Sequence, residues 1–253
     1  MAVSATKLEG ALNQLLSAHK IKDYCPNGLQ IEGKPQIQKV ITGVTACQEL
    51  IDIAIAKQAD AILVHHGYFW KGEPEPLKGM KRARIAALLQ HDINLFAYHL
   101  PLDVHPELGN NAQLAKLLGV TLRRGLEPWD PMSVAQVGKF DEPISPQQLT
   151  QRLQQALQRD PLWIDGNKET IRSVAICTGG GQSYIDLAAS QGVDAFISGE
   201  ISERTVYTAR EMNIHYFSAG HHATERYGVQ ALGEWLAQQY ALDVEYVEID
   251  NPV

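Results

Sequence analysis

Residues 40–66 read VITGVTACQELIDIAIAKQADAILVHH, and this stretch decides the fold. Val40 to Val44 is an apolar run of strand length, Gln48 to about Lys57 reads as a helix, and Ala61 to Val64 is a second apolar run. Joined by short loops, they form a β-α-β unit, the building block of a parallel sheet covered by helices. The second run stops at His65, His66 and Gly67, so a buried strand empties onto paired imidazoles.

The unit recurs. Val40-Ile41 set against Val174-Ala175 places Gln48 on Gln182, Ile51-Asp52 on Ile185-Asp186 and Asp60-Ala61 on Asp194-Ala195, without a gap. After one deletion the match resumes with Asn94-Leu95 on Asn213-Ile214. An offset held over a whole β-α-β unit marks an internal repeat. The expected architecture is therefore α/β, with two related lobes at residues 1–126 and 127–253. Further helices are expected over Ser4–Lys20, Lys81–His91, Asn111–Leu118 and Ser145–Arg159, the last with Leu149, Leu153 and Leu157 on one face behind a serine cap. Strands are expected at Leu29–Ile31, Asn94–Tyr98, Met132–Val137 and Asn213–Phe217. The alternation of Leu242, Val244 and Tyr246 with Asp243 and Glu245 adds a half-buried edge strand.

Composition narrows the function classes. The chain has 253 residues, 45% of them apolar, ample for a packed core. A net charge of −7 gives no general attraction to nucleic acid or acidic membranes, although a local basic patch stays open. No apolar run reaches membrane-spanning length, and the N-terminus reads as an amphipathic helix rather than a signal peptide. Cys25, Cys47 and Cys177 lack metal-type spacing and read as reduced thiols of a cytoplasmic protein.

Seven of the nine histidines, His65, His66, His99, His105, His215, His221 and His222, fall in or near predicted strands, most toward the C-terminal ends where α/β sheets bind ligands. At the end of its strand, the chain can twist so that the His65 and His66 rings converge. Asp103 follows Pro101, which stiffens its loop, and also reads as a turn or helix-capping residue. His221 and Glu225 share a face if a helix begins near Gly220. Together these stretches offer at least three imidazoles and two carboxylates from both lobes. Mixed nitrogen and oxygen donors suit zinc, iron or manganese, whereas calcium takes oxygen. A carboxylate bridging two ions is the usual hydrolytic arrangement. Glu200 aligns with His66 in the repeat, so Glu200, His99 and His222 are candidate proton carriers or supporting residues. Gly179-Gly180-Gly181 reads either as a phosphate cradle or as a tight turn. Tyr68, Phe69 and Trp70, with Lys71, Lys78, Lys81 and Arg82, read as a substrate lid or an assembly surface.

The chain resembles the NGG-one-interacting-factor-three-like family, also catalogued as GTP cyclohydrolase type 2-like, in its short enterobacterial form. The resemblance rests on Asn27-Gly28-Leu29-Gln30, Thr42-Gly43-Val44-Thr45, His65-His66-Gly67, His99-Leu100-Pro101-Leu102-Asp103, Gly109-Asn110-Asn111, Thr178-Gly179-Gly180-Gly181, Ser198-Gly199-Glu200 and His221-His222-Ala223-Thr224-Glu225. It implies two α/β lobes with a dinuclear metal site in the cleft between them, and assembly into a toroidal homohexamer. It also implies that Glu225 bridges the ions, with His66 and Asp103 completing one and His65 and His221 the other. The domain that some relatives carry between the lobes has no room in this chain.

Three function classes are open. The first is a metal-dependent hydrolase of a small substrate, nucleotide-like molecules among the candidates, with Glu225, His99, Glu200 and His222 as the residues nearest the chemistry. The second is a non-catalytic metal-handling protein, and the third a nucleic-acid-associated ring, which the acidic composition disfavours. No residue by itself points to GTP ring opening.

Overall fold

The computed structural model describes residues 2–253. Among these residues the strands are, in chain order, β1 (Val3–Ser4), β2 (Gly28–Ile31), β3 (Gln36–Ile37), β4 (Lys39–Thr45), β5 (Ala61–His66), β6 (Asn94–Ala97), β7 (Thr121–Gly125), β8 (Gln136–Ile144), β9 (Leu162–Ile164), β10 (Ile171–Cys177), β11 (Ala195–Ser198), β12 (His215–Ser218) and β13 (Asp243–Tyr246). They fall into two compact units. One runs to Leu102 and takes in Gly228–Asp250; the other comprises Asp103–Tyr227 and Asn251–Val253.

The first unit holds a sheet of order β13-β4-β5-β6-β2. β13, β4, β5 and β6 run parallel, and β2 is antiparallel to β6. Ile41, Ile62, Val64 and Leu95 of the parallel strands pack against Leu50, Ile51 and Ala54 of the 48–56 helix and against Ile85 and Leu88 of the 79–90 helix. On the opposite face, Gly233 of the 226–240 helix lies against Thr42 and Val244, where an added Cβ would stand 3.1 Å from Thr42 Cγ2. Strands covered on both faces are continuously apolar, which is why β4 and β5 show no alternation.

The second unit has the order β7-β8-β10-β11-β12-β9. Here β10, β11 and β12 are parallel, and β9 is antiparallel to β12 as β2 is to β6. The 146–157 helix begins with Pro146 behind a capping box, in which Ser145 Oγ accepts from the Gln148 amide and Gln148 Oε1 accepts from the Ser145 amide. It buries Leu149, Leu153 and Leu157, the three leucines of the predicted apolar face.

The repeat extends into side-chain chemistry. Asp60 accepts hydrogen bonds from Lys34 Nζ and from the amides of Gln38 and Lys39. Asp194 accepts from Lys168 Nζ and from the amides of Arg172 and Ser173, the residues that the alignment sets against those three. Burial alone would raise both carboxyls, but the lysine and the amides hold each below its ordinary range. Each aspartate thus fastens the start of one parallel strand to the loop before the next.

Sheet register corrects the alignment after the deletion. Ala61 faces Asn94, and its counterpart Ala195 faces His215 rather than Asn213. Asn94 receives the Gly33 amide on Oδ1 and donates to Lys34 O, while His215 receives the Gly166 amide on Nδ1 and its Nε2 donates to Lys168 O. An amide and an imidazole do the same work, so matching residue types misled the comparison. Asn213 is left-handed at φ 54°, as Asp92 is at φ 51°.

Other expectations shift as well. The division at residue 126 is not that of the units: β7 pairs with β8 in the second, and β13 pairs with β4 in the first. The first helix ends at Leu15, and Ser17 beyond it is left-handed at φ 49°. The strand expected at Met132 begins instead at Gln136. Asp130 and Ser133 take up the preceding backbone in a local turn, with the Met132 amide on Asp130 Oδ1 and Ser133 Oγ donating to Ala135 O.

Asp60→Asn and Asp194→Asn should each lower stability by about 1–3 kcal/mol at pH 7. The native carboxyl pKa is depressed, so this stabilisation is present above about pH 4 and is lost as pH falls through the lower folded value. Urea unfolding at pH 7 and pH 3 should show the penalty shrinking at the acid end.

Candidate metal centre

In the first unit, β5 ends on His65 and His66. Alternation along a strand would send their rings apart, yet the centroids lie 4.5 Å from each other. The following glycine is a packing requirement: a Cβ on Gly67 would fall 2.2 Å from Gln30 Oε1 and 2.6 Å from Ala97 Cβ. His65 is fully buried. Its Nδ1 donates to Tyr98 O at 2.9 Å, because a carbonyl can only accept, and this leaves the ring's lone pair on Nε2, the tautomer a metal ligand needs. His66 Nδ1 pairs with Thr45 Oγ1 at 3.1 Å.

His99 joins them. Its ring is 5.1 Å from that of His65 and 5.8 Å from that of His66, and the three offer nitrogens within 4.8 Å of one another. His99 Nδ1 meets Asp23 Oδ1 at 2.7 Å, and its amide donates to Asn27 Oδ1. Asp23 Oδ2 in turn accepts from the Leu100 amide and from Asn27 Nδ2. Burial opposes the Asp23 charge, but the bond from His99 leads a set that keeps this carboxyl below its ordinary value. Asp23 escaped the sequence reading because it stands alone in a polar loop outside every recognisable motif. Cys25 is beside it, its thiol pushed up to about 12 by burial and by the Asp23 charge, which makes it an inert neighbour.

The aromatic stretch after the histidines divides. Tyr68 is buried and tied down, its hydroxyl donating to Ala46 O and its amide to Gln30 Oε1. Phe69 is partly exposed beneath Lys81 Nζ. Trp70 donates from Nε1 to Gly67 O and sets its ring edge-on to His99 at 4.9 Å. Of these three, Trp70 is the one that meets the histidine rings.

In the second unit, Asp103 and Glu225 are 4% and 2% exposed, and they bring carboxylate oxygens within 4.8 Å of each other. Asp103 Oδ1 accepts from Asn110 Nδ2 at 2.8 Å and from Thr178 Oγ1 at 3.3 Å. His221 Nε2 approaches Glu225 Oε2 at 3.3 Å, and its Nδ1 approaches Glu200 Oε1 at 2.7 Å. Glu225 first, against the cost of burial, and then Glu200 raise the His221 pKa to about 9. The nearby Cys177 thiol is pushed up by burial and by the Asp103 and Glu225 charges. Gly179 sits at φ 65°, and a Cβ there would fall 2.1 Å from Glu225 Oε1. The glycine turn therefore makes room for a carboxylate. It leads into a 3-10 turn, Gln182–Tyr184, that runs on into the short Ile185–Ser190 helix.

His222 is buried, and its amide donates to Val253 O. It contributes to none of the converging donor groups among the described residues. His215 serves the strand junction of the second sheet, and His105 lies apart on the loop after Asp103. Asn110 and Thr178 stand within motif stretches, but nothing in residue type showed that both would serve Asp103.

A family model for Duf34/NIF3 (NGG1p interacting factor 3) matches residues 3–252. The chain belongs to this family. Its Duf34/NIF3 relatives include a Vibrio cholerae serotype O1 protein called a GTP cyclohydrolase 1 type 2 homolog, 61% identical over 98% of each chain. An Escherichia coli K12 protein of the same name is 53% identical, again over 98% of each. The solved structure of protein ybgI, described as of unknown function, superposes with a TM-score of 0.95 at 52% identity, covering 99% of this chain and 100% of that one. These names assign the family and leave the reaction open.

Two outcomes test the donor geometry. Gly179→Ala should cost about 1–2 kcal/mol for the left-handed backbone alone and should displace Glu225, so bound metal per chain should fall along with thermal stability. A metal must also displace the His221 proton, which is held up to about pH 9. Zinc titration calorimetry in buffers of different ionisation enthalpy should therefore show proton release, with affinity falling as pH drops below about 9.

Proposed function

We propose that His65, His66, Asp103, His221 and Glu225 hold two divalent cations, with zinc, iron or manganese the fitting metals, and that the protein is a metal-dependent hydrolase of a small substrate, nucleotide-like molecules among the candidates. The observation that carries this reading is the pair of almost fully buried carboxylates, Asp103 and Glu225, held within 4.8 Å. Two such charges need more compensation than one imidazolium supplies. Imidazole nitrogens together with carboxylate oxygens are the donor mix such metals take. Five protein ligands spread over two ions leave coordination positions open. Bound cations of this kind lower the pKa of water and polarise the group under attack.

The chain's own residues supply the proton handling. His99, oriented by Asp23, is the candidate base beside the histidine pair. Glu200 holds His221 Nδ1 and fixes the ring's orientation. Trp70 restricts water on the His99 side. Toroidal homohexamer assembly belongs to the same proposal, as does a cytoplasmic location, which the free cysteines suit.

Metal analysis of the purified protein should find two ions per chain, and Asp103→Asn and Glu225→Gln should reduce this to one or fewer. In a phosphoester and amide hydrolase screen, both variants should lose at least about a hundredfold in turnover. Fewer than one tightly bound metal per wild-type chain sinks the dinuclear centre. Full metal without turnover on any substrate favours metal handling instead. Formate release from GTP tests the activity in the relatives' name, and light scattering should give six times the 28.0 kDa chain mass.

A further inference from the structure

The second unit contains a pocket of about 270 Å³ beside the loop that follows Asp103. Its polar lining comprises Asp103, His105, Asn111, Arg123, Arg124 and Gln136. Val104, Pro106, Ala112 and Leu122 give it an apolar side. The volume lies just below the usual range of small-molecule sites, so the pocket suits one compact molecule.

The two arginines are consecutive, and alternation along β7 would send them to opposite faces. A β-bulge prevents that. The register passes from Leu122 opposite Gly138 to Arg124 opposite Val137, so two steps along β7 match one along β8 and Arg123 is the extra residue. A bulge re-aims a side chain, and here both consecutive arginines line the same pocket. Among the described residues Arg123 pairs with no carboxylate, and Arg124 only donates from Nη1 to Gly125 O at 3.0 Å. In a chain carrying 29 acidic residues against 22 basic ones, two neighbouring arginines without an acid partner leave local positive charge to be matched.

His105 adds a donor. Its Nδ1 accepts the amides of Glu107 and Leu108 at 3.2 and 3.0 Å, which places the ring proton on Nε2. Asn111 makes a fixed wall, its Nδ2 donating to Asp103 O and Val134 O and its Oδ1 accepting from the Thr178 amide. Gln136 is held through Nε2 on Ser133 O.

We propose that this pocket binds a small phosphorylated molecule, its phosphate on Arg123, Arg124 and His105 and its compact neutral body against the apolar lining. Two forked guanidiniums and an imidazole N–H match a dianionic phosphate better than a single carboxylate.

Calorimetry on the full-length protein at low salt tests it, with ribose 5-phosphate as the probe and ribose, inorganic phosphate and ribonate alongside. Ribose 5-phosphate should bind more tightly than the other three. The double variant Arg123→Ala/Arg124→Ala should weaken it at least about tenfold with the melting temperature unchanged, and Arg124→Lys should restore part of the loss. Absence of ribose 5-phosphate binding overturns the proposal. So does unchanged affinity in the double variant, which would move the phosphate to the metal donors, and so does tighter binding of ribonate, which would make the head group a carboxylate.

Discussion

Placing the Asp103 and Glu225 carboxylates together out of water is the constraint around which the second unit is arranged. The effective penalty for burying one such charge runs to several kcal/mol, and close approach of two like charges adds to it. The surrounding chain answers with donors. Asn110 and Thr178 serve Asp103, and His221 serves Glu225 while Glu200 steadies it. Gly179 contributes by having no side chain, since any Cβ would occupy the position of the Glu225 carboxylate. The strand end at Cys177, the start of the 110–118 helix and the 221–225 segment are thereby committed to one another.

The first unit reaches its histidine cluster by another route. Three imidazoles need no charge compensation when neutral, but each needs a fixed tautomer and orientation. Tyr98 O fixes His65, Thr45 meets His66, and Asp23 holds His99. The lysine–aspartate fastenings at Asp60 and Asp194 show that the units share a scaffold while their strand ends have diverged: β5 runs on into His65-His66, whereas β11 is followed by Gly199-Glu200.

Much of this was legible in the sequence, because the β-α-β repeat is written in apolar runs that only a doubly covered parallel strand produces. The donor stretches were legible because histidines and carboxylates recur together at or just after the ends of such strands. Less visible was anything depending on a side chain's role rather than its type. His215 stands where Asn94 does because both bridge an amide and a carbonyl, and no comparison of residue types aligns them. β7 gave no strand pattern, because its bulge breaks the period of two. Asp23 supports His99 across a long stretch of chain, a pairing that only folding brings about.

The segment from Asp23 to Gln30 has a consequence for how the protein fluctuates. Asp23 and Asn27 hold His99, and Gln30 holds the backbone on both sides of Tyr68 through its two amide atoms. All three residues belong to β2 or its approach, and β2 is the outer, antiparallel strand of its sheet. Edge strands open with less free energy than the core they flank. Fraying of this one strand would release the clamps on His99 and on the chain after Gly67 together, while β4, β5 and β6 stay folded. His99 and the chain after Gly67 would therefore loosen together below the free energy of global unfolding, while His65 and His66 keep their own partners, Tyr98 O and Thr45.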